Sequence, residues 1–167
     1  MKKTFIHLFF FLSLTNLFSQ NLTLDELLSL RKKQIVSAEE FLAVKNWELY
    51  SAVQPDGSTP GTITFSYKKY EEDKAVSFIK YIYTNDINNN MLNILIFNAE
   101  KYKTYLTRIK SLGCKVVYSG LKENEIIKVY QGTTTTIVVK VGTQDNDFGG
   151  TTTYYSFTIA SNDDVKL

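Results

Sequence analysis

The sequence predicts an α+β fold: two tandem α-ββββ repeats that form one antiparallel sheet of about eight strands with helices on one face. Three observations predict it. Apolar residues recur at helical spacing near the start of the chain and again after Asn98. Each helical segment is followed by four short runs rich in aromatic and β-branched residues, separated by turn chemistry. Several residues recur at one offset: Lys68 and Lys128, Tyr70 and Tyr130, Lys80 and Lys140, and Phe97 and Phe157 are each 60 apart.

Thr23-Leu-Asp-Glu26 fits a capping box, in which the threonine hydroxyl accepts a free backbone N–H and Glu26 reaches back. Leu24, Leu27 and Leu28 then share one helical face. Ser37-Ala-Glu-Glu40 fits a second capping box, with Phe41 and Leu42 turned inward, and Asn46 suits the left-handed residue that ends a helix. The spacing therefore predicts helices over about 24–34 and 38–45. A strand follows from Trp47 to Ala52, and Gln54–Gly61 is dense turn chemistry. Ile63, Phe65 and Tyr67 alternate with Thr64, Ser66 and Lys68, as a half-buried strand requires. A charged turn, Glu71–Lys74, leads to a strand at Ala75–Tyr83. The Asn/Asp-rich loop Thr84–Asn90 leads to another at Met91–Phe97.

Asn98 can cap the next helix, where Tyr102, Tyr105, Leu106, Ile109 and Leu112 form an apolar stripe that Gly113 ends. Strands follow at about 115–119, 125–131, 135–142 and 152–160, with a turn at Asp145–Gly150. The repeats are thus bounded at 21–97 and 98–167 and make one compact domain. Joined edge to edge, they hide two of four sheet edges. The alternative, an eight-stranded outer-membrane barrel, is opposed by the mid-chain helix, the short strands and the Asp-Val-Lys-Leu ending.

This order of elements resembles the tandem repeat of the β-lactamase-inhibitor-protein-like fold, which includes small outer-membrane assembly lipoproteins. The resemblance covers nearly the whole chain after residue 20 and rests on no shared motif. The abundance of Asn and Lys is similar to that of secreted proteins of Gram-negative bacteria.

Residues 1–20 fit a secretory signal peptide. Lys2 and Lys3 precede an apolar run from Phe5 to Phe18, and small Ser19 stands at the expected cut. Export to the periplasm or the cell exterior is expected. No cysteine follows the run to carry a lipid. Taking out the segment removes the sole histidine, His7, and leaves 17 Lys+Arg against 17 Asp+Glu. A neutral chain has no global field to hold a nucleic acid or an anionic membrane. Neither a nucleic-acid partner nor stable membrane insertion is expected.

Without histidine, Ser-His-Asp and Cys-His arrangements cannot be built, and one cysteine cannot make an ordinary zinc site. The chain has no phosphate-binding Gly-Lys-Ser/Thr loop and no GxGxxG. The paired carboxylates Glu39-Glu40, Glu71-Glu72-Asp73 and Asp163-Asp164 fall at a helix start, in a turn and at the tail, where they read as solvated. Asp145-x-Asp147-x-Gly149 lacks the glutamate that closes an EF-hand loop, since Ser156 stands at its twelfth position. Cys114, at a strand start, reads as a packed thiol, because Trp47 holds the equivalent place in the first half. No catalytic residue, metal site or cofactor is expected.

The sheet face opposite Ile63, Phe65 and Tyr67 is the candidate binding surface. Alternation assigns it Thr64, Ser66 and Lys68, then Lys128, Tyr130, Thr136, Lys140, Tyr154, Ser156 and Thr158. The candidate binding residues are Lys68, Lys80, Lys128, Tyr130, Lys140 and Tyr154. Tyrosine supplies contact area with one polar tip, a combination that interfaces favour. The expected function is a non-enzymatic module that holds a protein partner, such as an inhibitor, an immunity-type protein or an assembly factor. The alternatives are a structural envelope protein without a discrete ligand and a carboxylate-based glycan hydrolase.

Overall fold

The computed structural model describes residues 22–56, 59–71, 74–84, 89–146 and 149–165. The expected signal segment, with Lys2, Lys3 and His7, lies outside the described residues, as do Glu72, Asp73 and Asp147. The described elements are α1 (Leu24–Arg31), α2 (Ile35–Val44), β1 (Trp47–Val53), β2 (Gly61–Glu71), β3 (Lys74–Tyr83), β4 (Met91–Ile96), α3 (Ala99–Ser111), β5 (Lys115–Lys122), β6 (Glu125–Gln131), β7 (Thr135–Asp145) and β8 (Thr151–Ser161).

The first capping box forms. The Thr23 hydroxyl accepts from the Glu26 N–H at 3.2 Å, and Glu26 Oε2 accepts from the Thr23 N–H at 2.7 Å. The second does not. Gln34 is the N-cap of α2 and bonds through no side chain, which leaves Ser37 inside the first turn. Burial decides this start: Ile35, Ala38 and Leu42 lie at helical spacing, and all three join the core. A helix begun at Ala38 would leave Ile35 outside it. Asn46 takes the left-handed conformation, with φ +61°, and Asn98 Oδ1 caps α3 by accepting from the Lys101 N–H at 2.8 Å.

The strands form one eight-stranded antiparallel sheet in the order β1-β2-β3-β4-β8-β7-β6-β5. β4 and β8 pair at the centre, Ile94 opposite Phe157, while β1 and β5 are the edges. Directly opposed residues share a face. One row therefore runs Phe65, Ile79, Ile94, Phe157, Val139 across five strands, and a second runs Ile63, Tyr81, Leu92, Ile159, Ile137, Tyr130. Members of both rows join one buried cluster with Leu24, Leu27 and Leu30 of α1, Leu42 of α2, and Tyr105 and Ile109 of α3. We call this the packed face.

α3 rests on β8. Tyr102 stacks on Tyr155 with centroids 4.3 Å apart, and Tyr105 meets Phe157 edge-on at 5.1 Å. The Tyr105 hydroxyl donates to the Leu22 carbonyl at 2.9 Å, and Arg108 forks onto both Asp25 oxygens, so α3 is tied to the start of α1. The buried hydroxyl bond contributes more than the exposed ion pair, which solvent screens. Among the described residues, no helix is long and apolar enough to cross a membrane.

Candidate functional site

The second sheet face carries a polar row at its centre: Thr64, Lys80, Asn93 and Thr158 stand opposite one another on β2, β3, β4 and β8. Asn93 Nδ2 donates to Ser156 Oγ and to Thr158 Oγ1, both at 2.8 Å. Each hydroxyl accepts from Asn93 and keeps its own proton to donate outward. Lys80 is exposed and joins no ion pair among the described residues. The row is flanked by partly exposed Phe78, which Tyr50 meets edge-on with centroids 5.5 Å apart. Lys69 Nζ lies 5.4 Å from the Tyr50 ring centroid.

At the other end of this face, Glu125 receives two donors. The Tyr154 hydroxyl reaches its Oε1 at 2.5 Å, and Lys140 Nζ reaches its Oε2 at 2.9 Å. The three residues come from β8, β6 and β7, so Tyr154 must cross β7 to reach Glu125. Gly142, directly opposite Tyr154, allows the crossing: a Cβ there would stand 2.6 Å from the ring. The Tyr154 hydrogen bond and Lys140 hold the Glu125 carboxyl below the usual range, and the same carboxylate pushes the Tyr154 phenol up.

The stabilisation from Glu125 is present above its ordinary value and is lost as pH falls through the lowered folded value. Removing the donors should show this directly. Tyr154→Phe and Lys140→Ala are each expected to raise the Glu125 titration midpoint, followed by NMR on the carboxyl carbon. An unchanged midpoint in both variants would show that the contacts are not held in solution.

Of the six candidate residues, Lys80, Lys140 and Tyr154 lie on this face. The other three do not. Lys128 pairs with Val139 and Tyr130 with Ile137, which puts both on the packed face, and Tyr130 is buried in the core. The 60-residue offset does not carry through the sheet register. If Ser77 and Ile137 correspond, as that offset requires, their partners Tyr67 and Tyr130 lie 63 apart. An odd difference moves every side chain of a strand to the other face. Lys68 has φ +50°, and its Nζ stands 5.5 Å from the centroid of the Tyr67 ring, a packed-face residue. The left-handed residue breaks the alternation on which its assignment rested.

Alternation correctly gives Thr64, Ser66, Thr136, Ser156 and Thr158 to this face. Sequence reasoning missed Glu125, Asn93, Phe78, Tyr50 and Lys69. Their roles depend on cross-strand partners, which no single strand reveals. Cys114 is partly buried against the core, and burial pushes its thiol up, so the reactive thiolate is disfavoured. Among the described residues, no three His, Cys, Asp or Glu side chains stand close enough to hold a metal ion. A shallow depression of about 420 Å³ on the outer side of α3 is lined by Glu100, Lys103, Thr104, Thr107, Arg108 and Ser111, with a single carboxylate among them.

No protein-family model, curated protein or solved structure matches the chain.

Proposed function

We propose that this chain is an exported, non-enzymatic binding module that holds a protein partner against the sheet face carrying Lys80. In this reading, residues 1–20 direct export to the periplasm or the cell exterior and are removed there. The chain is built of two tandem α-ββββ repeats whose helices lie together on the packed face and leave the other face free. The symmetric strand order about the β4–β8 pair supports the repeat.

The observation that carries the function is the central polar row. Lys80 is an exposed cation without an ion pair among the described residues, set among hydroxyls that Asn93 has already oriented. Ordered donors cost little entropy on binding, and Phe78 and Tyr50 beside them supply apolar area. A face kept only for solubility has no need of fixed hydroxyls.

The test is capture from envelope and culture fractions of the source cells with the chain lacking residues 1–20. A partner retained by wild type and by Lys128→Ala, but lost from folded Lys80→Glu, is the expected result. Equal capture by Lys80→Glu overturns the assignment of the face.

A further inference from the structure

We infer that the β5 edge is a second docking site, which accepts an extended segment of a partner protein as a ninth strand. The segment has apolar side chains at alternate positions and carboxylates at its ends.

β5 ends the strand order, so alternate backbone N–H and C=O groups along it point outward without a sheet partner. Val116 pairs with Tyr130 and Leu121 with Ile126, which puts Val116, Leu121 and Ile126 on the packed face. Yet they are 53%, 73% and 49% exposed. α3 rests on β8 through Tyr102 and Tyr105 and leaves this hairpin uncovered. An apolar shelf thus borders an open edge, and a strand added there would continue the sheet and lay its side chains over the shelf. The other edge lacks such a shelf. On β1, exposed Leu49 shares a row with Phe65 on the packed face, whereas exposed Val53 stands opposite Thr62 on the other face.

Charge selects the occupant. Lys115 and Lys122 stand at the two ends of β5, and Lys128 lies on the shelf opposite Ser119. Lys115 and Lys128 join no ion pair among the described residues, and Lys122 has only Glu123, at 3.9 Å. Glu125 is already taken by Lys140 and Tyr154. Antiparallel pairing with the β5 of a second copy would set Lys115 against Lys122 at both ends, and directly opposed like charges destabilise a sheet. Edge lysines and the bulge between Val116 and Tyr118 are devices that guard an edge against self-association. The same lysines favour a strand ending in carboxylates.

The test uses the chain lacking residues 1–20 and two labelled peptides of about eight residues, the length of an ordinary strand. Both alternate valine and threonine; one ends in aspartates and the other in lysines. Fluorescence anisotropy is expected to show the acidic peptide binding tighter by about tenfold or more. Binding should slow amide exchange in β5, and Lys115→Glu with Lys122→Glu should reverse the preference. Lys80→Glu should leave it unchanged, which separates this site from the central face. Equal binding of the two peptides, no binding, or protection outside β5 overturns the inference. So does a dimer in sedimentation that Leu121→Asp abolishes, because a second copy would then be the occupant.

Discussion

Phe157→Ala is expected to cost about 3–5 kcal/mol, the range for truncating a fully buried phenylalanine. Phe157 is fully buried on β8, at the seam where Ile94 faces it from β4 and Val139 from β7. Tyr105 packs edge-on against its ring at 5.1 Å, and Tyr102 lies 6.0 Å away. The substitution therefore removes the common support of α3 and both sheet halves. Tyr105 is itself tied to Leu22 through its hydroxyl, so it cannot move in to fill the cavity without giving up that bond. Against a total stability of about 5–15 kcal/mol, the loss is a large share. Urea unfolding should show a lower midpoint with little change in slope. A loss below about 1 kcal/mol would show that the site collapses freely and that Phe157 is not the shared support.

The elements were legible wherever local chemistry decides them. The Thr23 and Asn98 caps and the left-handed Asn46 each rest on contacts within one turn of chain and appear as expected, while the α3 stripe packs Tyr102, Tyr105, Leu106 and Ile109 inward but leaves Leu112, expected in it, exposed at the C-cap. Local reasoning failed where tertiary burial outbid it. Ser37 is a good cap by chemistry, but Ile35 gains more by entering the helix and reaching the core. Strand ends were also hidden. β7 and β8 extend to Asp145 and from Thr151, because Thr143, Gln144 and Asp145 pair with Thr153, Thr152 and Thr151. A polar ladder of that kind carries no hydrophobic alternation to announce it.

The candidate face was legible by half for a related reason. Alternation tells which residues of one strand share a face, but it does not tell which face that is. For β8, the apolar parity of Phe157 and Ile159 settled the matter, and Tyr154, Ser156 and Thr158 fell on the other side as expected. For β6, apolar residues occupy both parities: Ile126 and Tyr130 on one side, Ile127 and Val129 on the other. Alternation alone therefore leaves the facing of β6 undecided, and the register against β7 puts Lys128 and Tyr130 on the packed face. Glu125 shows the deeper limit, since its two donors lie on β7 and β8, and neither has a fixed distance from it along the chain.

Tyr81→Phe isolates one hydroxyl that joins α1 to the sheet, and it is expected to cost about 1–3 kcal/mol while leaving the ring's burial intact. The Tyr81 hydroxyl accepts from Asn90 Nδ2 at 3.0 Å and contacts the carbonyls of Arg31, the last residue of α1, and of Lys33 just beyond it. Arg31 Nη1 in turn donates to the Asn90 carbonyl at 3.2 Å. Tyr81, Arg31 and Asn90 are all buried, so water cannot replace the lost bonds cheaply. Burial also pushes the Tyr81 phenol above its ordinary value of 10.0, which makes the neutral form the one the fold prefers. That preference stabilises the protein fully below about pH 10 and is lost as pH rises through the folded value. Wild type should therefore show a falling urea midpoint above pH 10. The fall should be shallower in Tyr81→Phe but still present, because Tyr102 and Tyr130 are raised by burial as well. If Tyr81→Phe matches wild type in both stability and alkaline slope, the hydroxyl contributes nothing net to holding α1 on the sheet.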